Sequence, residues 1–309
     1  MGCQAVSSSR DVLSWRALAE SDLQAVAGLA HACLSFDGGQ PYAADPGFLA
    51  QRYGSEARTC ASWDGPELIC VCSLRRPPGA ASDEGANAVT TGLVHPGWRR
   101  RGIGGHAFDW AAGEAVNAAL RAETDTLNEG AHALYLSKGL AQVFAEDVMQ
   151  LAEPANLPVT DAPKTLVLSH WGRADPGRYY AVYQASFRER PGFPGWTRER
   201  WIEWISDDED FRPEWTLLAS IDGHDVGFIV ADASAWIVQM GVVPSARGRD
   251  IGARLIAEAV HLLRTAGPTT ITLNVNVDNP HAIALYRRFG FTRTGRRARY
   301  EALSSGREL

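Results

Sequence analysis

The chain is poor in cysteine, and the five it has, Cys3, Cys33, Cys60, Cys70 and Cys72, all lie in its first half. An odd count without a CxxC pair argues against a disulfide framework and against a zinc site. Reduced thiols are therefore expected, with Cys70 and Cys72 on one face of a strand and packed as small apolar groups. No apolar run approaches the ~18–20 residues that cross a bilayer. The opening MGCQAVSSSR has no apolar signal core, and Val6 stands where a myristoylation signal after Gly2 would need Ser or Thr. These absences lead us to expect a cytoplasmic protein with no membrane partner.

A basic excess is also missing. Lysine and arginine total 30 against 36 acidic residues, a net charge of −6, so the cationic face that nonspecific nucleic-acid binding requires is not expected. A cationic substrate suits such a chain better. At 309 residues, 45% hydrophobic and 21% charged, the composition is that of an ordinary globular protein long enough for two domains.

The strongest pattern is an internal repeat. VHPGWRRRGIGGHAF (Val94 to Phe108) and VVPSARGRDIGARLI (Val242 to Ile256) both read strand end, proline, basic turn, Ile-Gly, helix. Downstream, NEGAHALYLSKGL from Asn128 matches NPHAIALYRRFGF from Asn279 in the order Asn, Ala, Leu-Tyr, Gly. The offsets agree, 148 positions from Arg99 to Arg247 and 151 from Tyr135 to Tyr286. Upstream of each pair sits a hairpin signal, Asp64-Gly65 in one half and Asp222-Gly223 in the other. In the second half, strands are expected within Trp215–Ala231, Ala235–Val243 and Thr270–Val277. Helices are expected over Arg178–Arg188, Arg198–Ile205, Ile251–Thr265 and Pro280–Phe289, with Asn279 as the cap of the last. The proline-rich stretch Glu153–Pro163 reads as the linker. Helices on a mixed sheet, twice over, give an α/β fold class.

The basic turns carry the chemistry. Backbone N–H groups at a helix start have no intrahelical partner and lie at the positive end of the dipole, which makes such a turn a pyrophosphate cradle. Glycine is needed where a Cβ would collide with phosphate or where φ is positive, and flanking arginines add positive charge.

These segments resemble the acetyl-CoA signature of the GNAT superfamily, (Arg/Gln)-x-x-Gly-x-(Gly/Ala). Arg99-Arg100-Arg101-Gly102-Ile103-Gly104, followed by Gly105, matches it in full; Arg247-Gly248-Arg249-Asp250-Ile251-Gly252, followed by Ala253, departs at Asp250, whose side chain is expected to point into solvent. The resemblance covers the chain as two tandem GNAT (acyl-CoA N-acyltransferase) domains, in a layout similar to that of mycothiol synthase. The expected bounds are 1–155 and 164–309, with the linker at 156–163.

What the resemblance implies is direct acetyl transfer from acetyl-CoA to an amine, with no metal. Backbone N–H groups of Met240, Gly241, Val242 and Val243, and in the first copy Leu93 and Val94, would face the thioester and pantetheine. Asn279 and Asn128 would contact the pantetheine arm. Tyr286, with Tyr135 as its counterpart, would protonate the departing thiolate. The family's strand glutamate, the usual base, is replaced by Trp236 and Ala88; Asp232, Asp225 and His224 are candidates that could equally be hairpin residues. By analogy with the tandem family the second copy is expected to be the catalytic one. Its entry region places Phe193, Trp196, Trp201 and Trp204 beside Asp207, Asp208, Glu209 and Asp210, which either suits a bulky cationic amine or is ordinary core packing ending in a solvated turn. The expected acceptor is a primary amine on a small molecule, such as an amine-bearing antibiotic or a cysteinyl pseudodisaccharide. Alternatives are acetyl-CoA binding without turnover, and acetylation of a protein lysine or N-terminus. A monomer or homodimer is expected.

Overall fold

The repeat recurs as two sets of strands, each with helices on both faces. In the computed structural model, which describes residues 13–76, 88–116, 118–152, 157–190, 193–267 and 270–302, the elements follow the order the repeat suggested. The first half runs β1 (Ser14–Arg16), α1 (Leu23–Asp37), α2 (Pro46–Tyr53), β2 (Arg58–Asp64), β3 (Glu67–Arg75), β4 (Ala88–Val94), α3 (Ile103–Glu114), β5 (Leu120–Thr124), α4 (Glu129–Ser137) and β6 (Leu140–Ala152). The second runs β7 (Leu166–His170), α5 (Pro176–Phe187), α6 (Arg198–Ser206), β8 (Leu217–Ile221), β9 (His224–Ala231), β10 (Trp236–Val242), α7 (Ile251–Ala266), β11 (Thr270–Asn276), α8 (Pro280–Arg288) and β12 (Thr292–Ala302). Cys3 and residues 153–156 of the linker lie outside the described residues.

The chain divides into two units. One comprises residues up to Val148 together with those from Thr294, and the other Met149–Arg293. This differs from the expected bounds of 1–155 and 164–309, because β12 joins the first unit rather than the second. In that unit the strand order is β1-β2-β3-β4-β5-β12-β6. β12 pairs antiparallel with β5 in the register Ala298↔Thr124 to Glu301↔Arg121. On its other side Arg296 donates to Asp147 at 2.7 Å and Arg297 to Glu146 at 2.7 Å. Tyr300 is fully buried there. In exchange, the end of β6 serves the second unit, whose order is β6-β11-β10-β9-β8-β7. Met149 and Leu151 are buried in that unit's core.

Packing follows the apolar pattern. In the first unit Ile69, Cys70, Cys72 and Leu74 of β3 meet Ile103, Ala107 and Ala111 of α3, so Cys70 and Cys72 do share a packed face. Ala61, Trp63 and Val71 meet α1 and α2 on the opposite face. Among the described residues, Cys33, Cys60, Cys70 and Cys72 are all buried thiols outside any disulfide. In the second unit the expected stripe of α7, Leu255, Ile256, Ala259, Val260 and Leu263, is fully buried on Ile229, Ile237, Ile271 and Leu273. Burial of that kind is worth roughly 1.5–3 kcal/mol per large side chain, so this one face anchors the helix.

Both sets of strands open at the same place. β4 runs parallel to β5 only over Ala88↔Leu120, Val89↔Arg121 and Thr90↔Ala122. β10 and β11 likewise pair only at Trp236↔Thr272 and Ile237↔Leu273. Beyond these pairs the two parallel strands of each unit diverge into a wedge, with the basic turn at the end of the strand that leaves.

Candidate active site

The first unit holds a cavity of about 310 Å³ that begins at the basic turn and runs into the wedge. Arg99, Arg100, Gly102, Ile103, Gly104 and Gly105 line one end, Gly92, Leu93 and Val94 the strand side, and Asn128 and Tyr135 the other wall. The expected residues of the first copy are thus brought together, apart from Arg101, which lies over the Trp98 ring at 4.7 Å. Gly102 is the N-cap of α3 at φ 82° and offers no side-chain acceptor to the first N–H groups of the helix. Those donors are left for a ligand. A Cβ on Gly104 would make ordinary contacts with Leu134 and Val94, at 3.5 and 3.6 Å, and a longer side chain at this seat would extend into the cavity that Gly104 lines.

Arg99 does a different job from the one expected of a flanking arginine. Its guanidinium makes two 2.7 Å hydrogen bonds to Asp37 at the end of α1, and its Nε donates to the Val94 carbonyl at 3.1 Å. Asp37 also accepts from the Asn128 amide at 3.3 Å, while the Asn128 Oδ1 caps α4 by accepting from Ala131 N–H. One almost wholly enclosed carboxylate therefore ties α1, the basic turn and the cap of α4 together. Sequence reading missed Asp37, since the end of an apolar helix gives no sign of what it meets. Arg100, by contrast, is exposed and lines the cavity.

Tyr135 sits inside, its ring 4.7 Å from Tyr300 and 6.0 Å from Phe108. Burial pushes its phenol well above the ordinary tyrosine range, which keeps the proton on the oxygen at neutral pH. Cys33, Cys70 and Cys72 also line the cavity, but burial pushes Cys33 and Cys72 up to about 11. As neutral thiols they are poor nucleophiles.

The second unit repeats the frame with different occupants. Arg247 donates to the Val242 carbonyl at 3.2 Å and to the Ser186 carbonyl at the end of α5 at 3.1 Å, the same buttress built on a backbone oxygen. Gly248 and Asp250 both have positive φ, 75° and 53°, and Asp250 is the N-cap of α7 without capping it. Its carboxylate is instead held by Arg288 at 3.0 Å and by the Asp161 N–H at 3.1 Å, and the Arg288 pair keeps it below the usual carboxylate range. The side chain thus turns away from the helix start, but into an ion pair rather than into solvent as expected. Arg249 is exposed, and Ile251 and Ala253 are buried in the core. A Cβ on Gly252 would make ordinary contacts with Met240 and Val242, both at 3.8 Å, and lie 3.2 Å from Leu285, so this seat is tighter than the first at Leu285 alone. Gly241 is required for another reason: a Cβ there would be 2.8 Å from Phe228 and 3.0 Å from Phe187. Val243 passes its N–H to Val226 at 3.0 Å and so closes the strand end.

Asn279 caps α8 by accepting from Ala282 N–H at 3.1 Å, with Pro280 in the first turn as read from sequence. Tyr286 is buried against the core, its ring 5.9 Å from Phe291, and burial raises its phenol well above the ordinary range. The candidate bases are used elsewhere. Burial tends to raise Asp225, but hydrogen bonds from Arg178 at 2.7 and 2.9 Å and from Ser220 outweigh it and hold the carboxyl low. Asp232 accepts from Ser234 and Trp236 backbone N–H groups, both at 3.0 Å, and closes the turn into β10. His224 binds the Asp222 carbonyl across its own hairpin at 3.1 Å. In the entry region Trp201 is fully buried, stacked on Tyr183 at 5.0 Å and bonded to Gln239 at 3.1 Å, while Trp196 meets the exposed Trp204 edge-on. Asp208 accepts from Asp210 N–H at 2.8 Å in the turn that follows.

Comparison with known proteins decides what the paired wedges are. The acetyltransferase (GNAT) family model matches residues 25–140 and again 177–291. The chain belongs to the GNAT acetyltransferase family. Among relatives of this GNAT enzyme, mycothiol acetyltransferase of Thermomonospora curvata is 29% identical, covering 89% of this chain and 92% of that one. Mycothiol acetyltransferase of Clavibacter michiganensis is 31% identical, covering 74% of this chain and 78% of the other. The fold is shared with a GCN5-related N-acetyltransferase from Sphaerobacter thermophilus at a TM-score of 0.72 and 23% identity, over 96% and 98% of the two chains. A tandem GNAT protein from the clavulanic acid biosynthesis pathway matches at 0.58 and 19%, over 95% and 99%. Acetyl-CoA is the co-substrate of this family. Among the described residues, no helix is long and apolar enough to cross a membrane and no cluster of side chains could hold a metal ion.

Proposed function

We propose that this GNAT enzyme acetylates the primary amine of a small molecule, with acetyl-CoA lying along the first unit's cavity. The observation that carries this reading is that a single space touches the helix start, the wedge, Asn128 and Tyr135. The diphosphate takes the N–H groups of Ile103, Gly104 and Gly105, with Arg100 beside it. The pantetheine arm follows Gly92 to Val94, and the thioester carbonyl reaches the wedge, where a backbone N–H meets the developing oxyanion. The amine attacks, the C–S bond breaks, and Tyr135 gives its proton to the thiolate. The names of the curated relatives support an acceptor amine related to mycothiol biosynthesis. Tethering of Arg99 to Asp37 supports a turn held ready before the ligand arrives.

Transfer in the second unit, with Tyr286 as the donor and Asn279 at the arm, is the competing reading. It is favoured by the cap at Asn279 and by the Asp250 carboxylate being held off the helix start by Arg288. Paired variants separate the two. Gly104→Glu places a charged side chain in the first seat and Gly252→Glu does so in the second. Product mass is followed with a panel of histamine, glucosamine and S-methylcysteine. The first-unit reading expects Gly104→Glu alone to abolish transfer; loss confined to Gly252→Glu would move catalysis to the second unit. Acetyl-CoA binding without transfer to any amine would leave the chain a binding module.

A further inference from the structure

A second, far smaller space lies in the first unit, on the other side of the wedge. Its volume is about 20 Å³, and Phe48, Arg52, Tyr53, Thr91 and Asp125 form its walls. That is room for one water-sized group, which an ammonium is. Gly92, Leu93, Thr124 and Thr126 line both this space and the larger cavity. The two therefore meet where β4 leaves β5, the point at which a thioester carbonyl held in the cavity would be attacked.

Asp125 is the residue that follows β5, and a carboxylate there is peculiar to this unit. The offset of 151 that relates Tyr135 to Tyr286 brings Asp125 onto Asn276 in the second unit. Asn276 spends its side-chain oxygen on Asp278 N–H at 2.8 Å. Asp125 has one ion-pair partner, Arg52, at 3.2 Å, and Arg52 divides itself between Asp125 and Glu123 at 2.9 Å. Charged and titratable groups face Asp125 from its neighbouring elements: Arg52 and Tyr53 of α2, Arg75 of β3, Arg297 of β12, Tyr42 of the turn before α2, Tyr135 of α4, and Glu123 of its own strand. Burial raises Asp125 despite the arginines, whereas Glu123, also raised by burial, is brought below its ordinary range by Arg52. Asp125 is thus the more proton-seeking of the two carboxylates.

We propose that Asp125 takes the proton of the acceptor ammonium in the first unit, the role left vacant by the missing strand glutamate. This rests on the proposed function above. The acceptor enters as R–NH3+ and gives one proton to the Asp125 carboxylate. Its freed lone pair attacks the thioester carbonyl, the C–N bond forms and the C–S bond breaks. The thiolate takes a proton from Tyr135, which recovers one from the nitrogen as the amide forms, and Asp125 returns its proton to water. The balance is R–NH3+ plus acetyl-CoA giving the acetamide, CoA thiol and one proton. The space is sized for the ammonium head alone, so the substrate class is a primary amine.

The test is Asp125→Asn in the full chain, assayed with the amine of the panel that the wild type turns over. Turnover at pH 7 is expected to fall by roughly 10²–10⁴-fold with unchanged acetyl-CoA affinity by calorimetry. The deficit should shrink as pH approaches the acceptor's own pKa, near ~10 for a lysine-like amine, because the free base then needs no acceptor for its proton. A purely structural loss would be the same at every pH and would overturn the proposal, as would wild-type turnover. Should Asp125→Asn fail to fold, Arg52→Gln is read instead. Removing that cation must move the acidic limb of the wild-type pH–rate profile upward, and an unmoved limb overturns the assignment. If the wild type acetylates no amine, the proposed function fails and the role of Asp125 falls with it.

Discussion

The two basic turns meet one backbone demand with different residues. Each needs a left-handed φ at its second and fourth positions: Arg100 at 65° and Gly102 at 82° in one, Gly248 at 75° and Asp250 at 53° in the other. Each turn thus places glycine at one of the two positions and accepts strain at the other, where an L-residue costs about 1–2 kcal/mol. Aspartate tolerates that region better than most side chains, which explains a departure from the signature that leaves the turn's geometry intact. A Cβ on Gly102 would meet nothing within 4 Å, so Gly102→Ala isolates the backbone effect. Urea unfolding of that variant should show a loss of about 1 kcal/mol. Asp250 offers a pH test. Its folded-state pKa lies below its unfolded value, so its contribution to stability is fully present above the unfolded value of about 3.9 and is lost as pH falls through the folded one. Arg288→Gln should bring the Asp250 titration seen by NMR back toward that ordinary value. At Tyr135, removal of one oxygen separates chemistry from packing. Tyr135→Phe should lower turnover by roughly 10²–10⁴-fold and leave acetyl-CoA affinity and thermal stability nearly unchanged, measured by single-turnover kinetics, calorimetry and melting. In the competing reading the same outcome belongs to Tyr286→Phe.

Elements were more legible than their partners. The Asp222-Gly223 signal closes β8 onto β9 with Ile221 opposite His224, and the stripe of α7 is buried residue for residue as its 3.6 period required. The cap at Asn279 was likewise readable, because Asn before Pro before an apolar period is a local signature. Asn279→Ala should cost about 0.5–2 kcal/mol in denaturant unfolding, as the loss of a side-chain cap usually does. β12 was not readable. TRTGRRARYEA carries four arginines and no sustained alternation, and what places it is pairing with Glu146, Asp147 and β5, residues about 150 or more positions away. Periodicity cannot report partners at such a distance. The same holds for Asp37 and Asp125, whose roles come from what the fold brings to them: Arg99 and Asn128 for one, Arg52 and the wedge for the other.

At the scale of the molecule, the duplication in the sequence is not a duplication of independent pieces. The first unit's sheet is filled between β5 and β6 by a strand from the far end of the chain. A fragment of residues 1–152 therefore lacks that strand, leaving β5 without its β12 partner and Arg121, Glu146 and Asp147 without their ion pairs. We expect that fragment to bind no acetyl-CoA on its own, and to gain binding and cooperative melting when a peptide of residues 292–302 is added, with circular dichroism and calorimetry as the readouts. The consequence reaches back to the ribosome. Domains ordinarily fold in the order in which they are made, the N-terminal one first. Here the first half to emerge has to wait, its unfinished edge exposed, while all of the second unit is translated, and it closes only when residues 292–302 become available to it. The half of the enzyme that is synthesised first is therefore the half that is finished last.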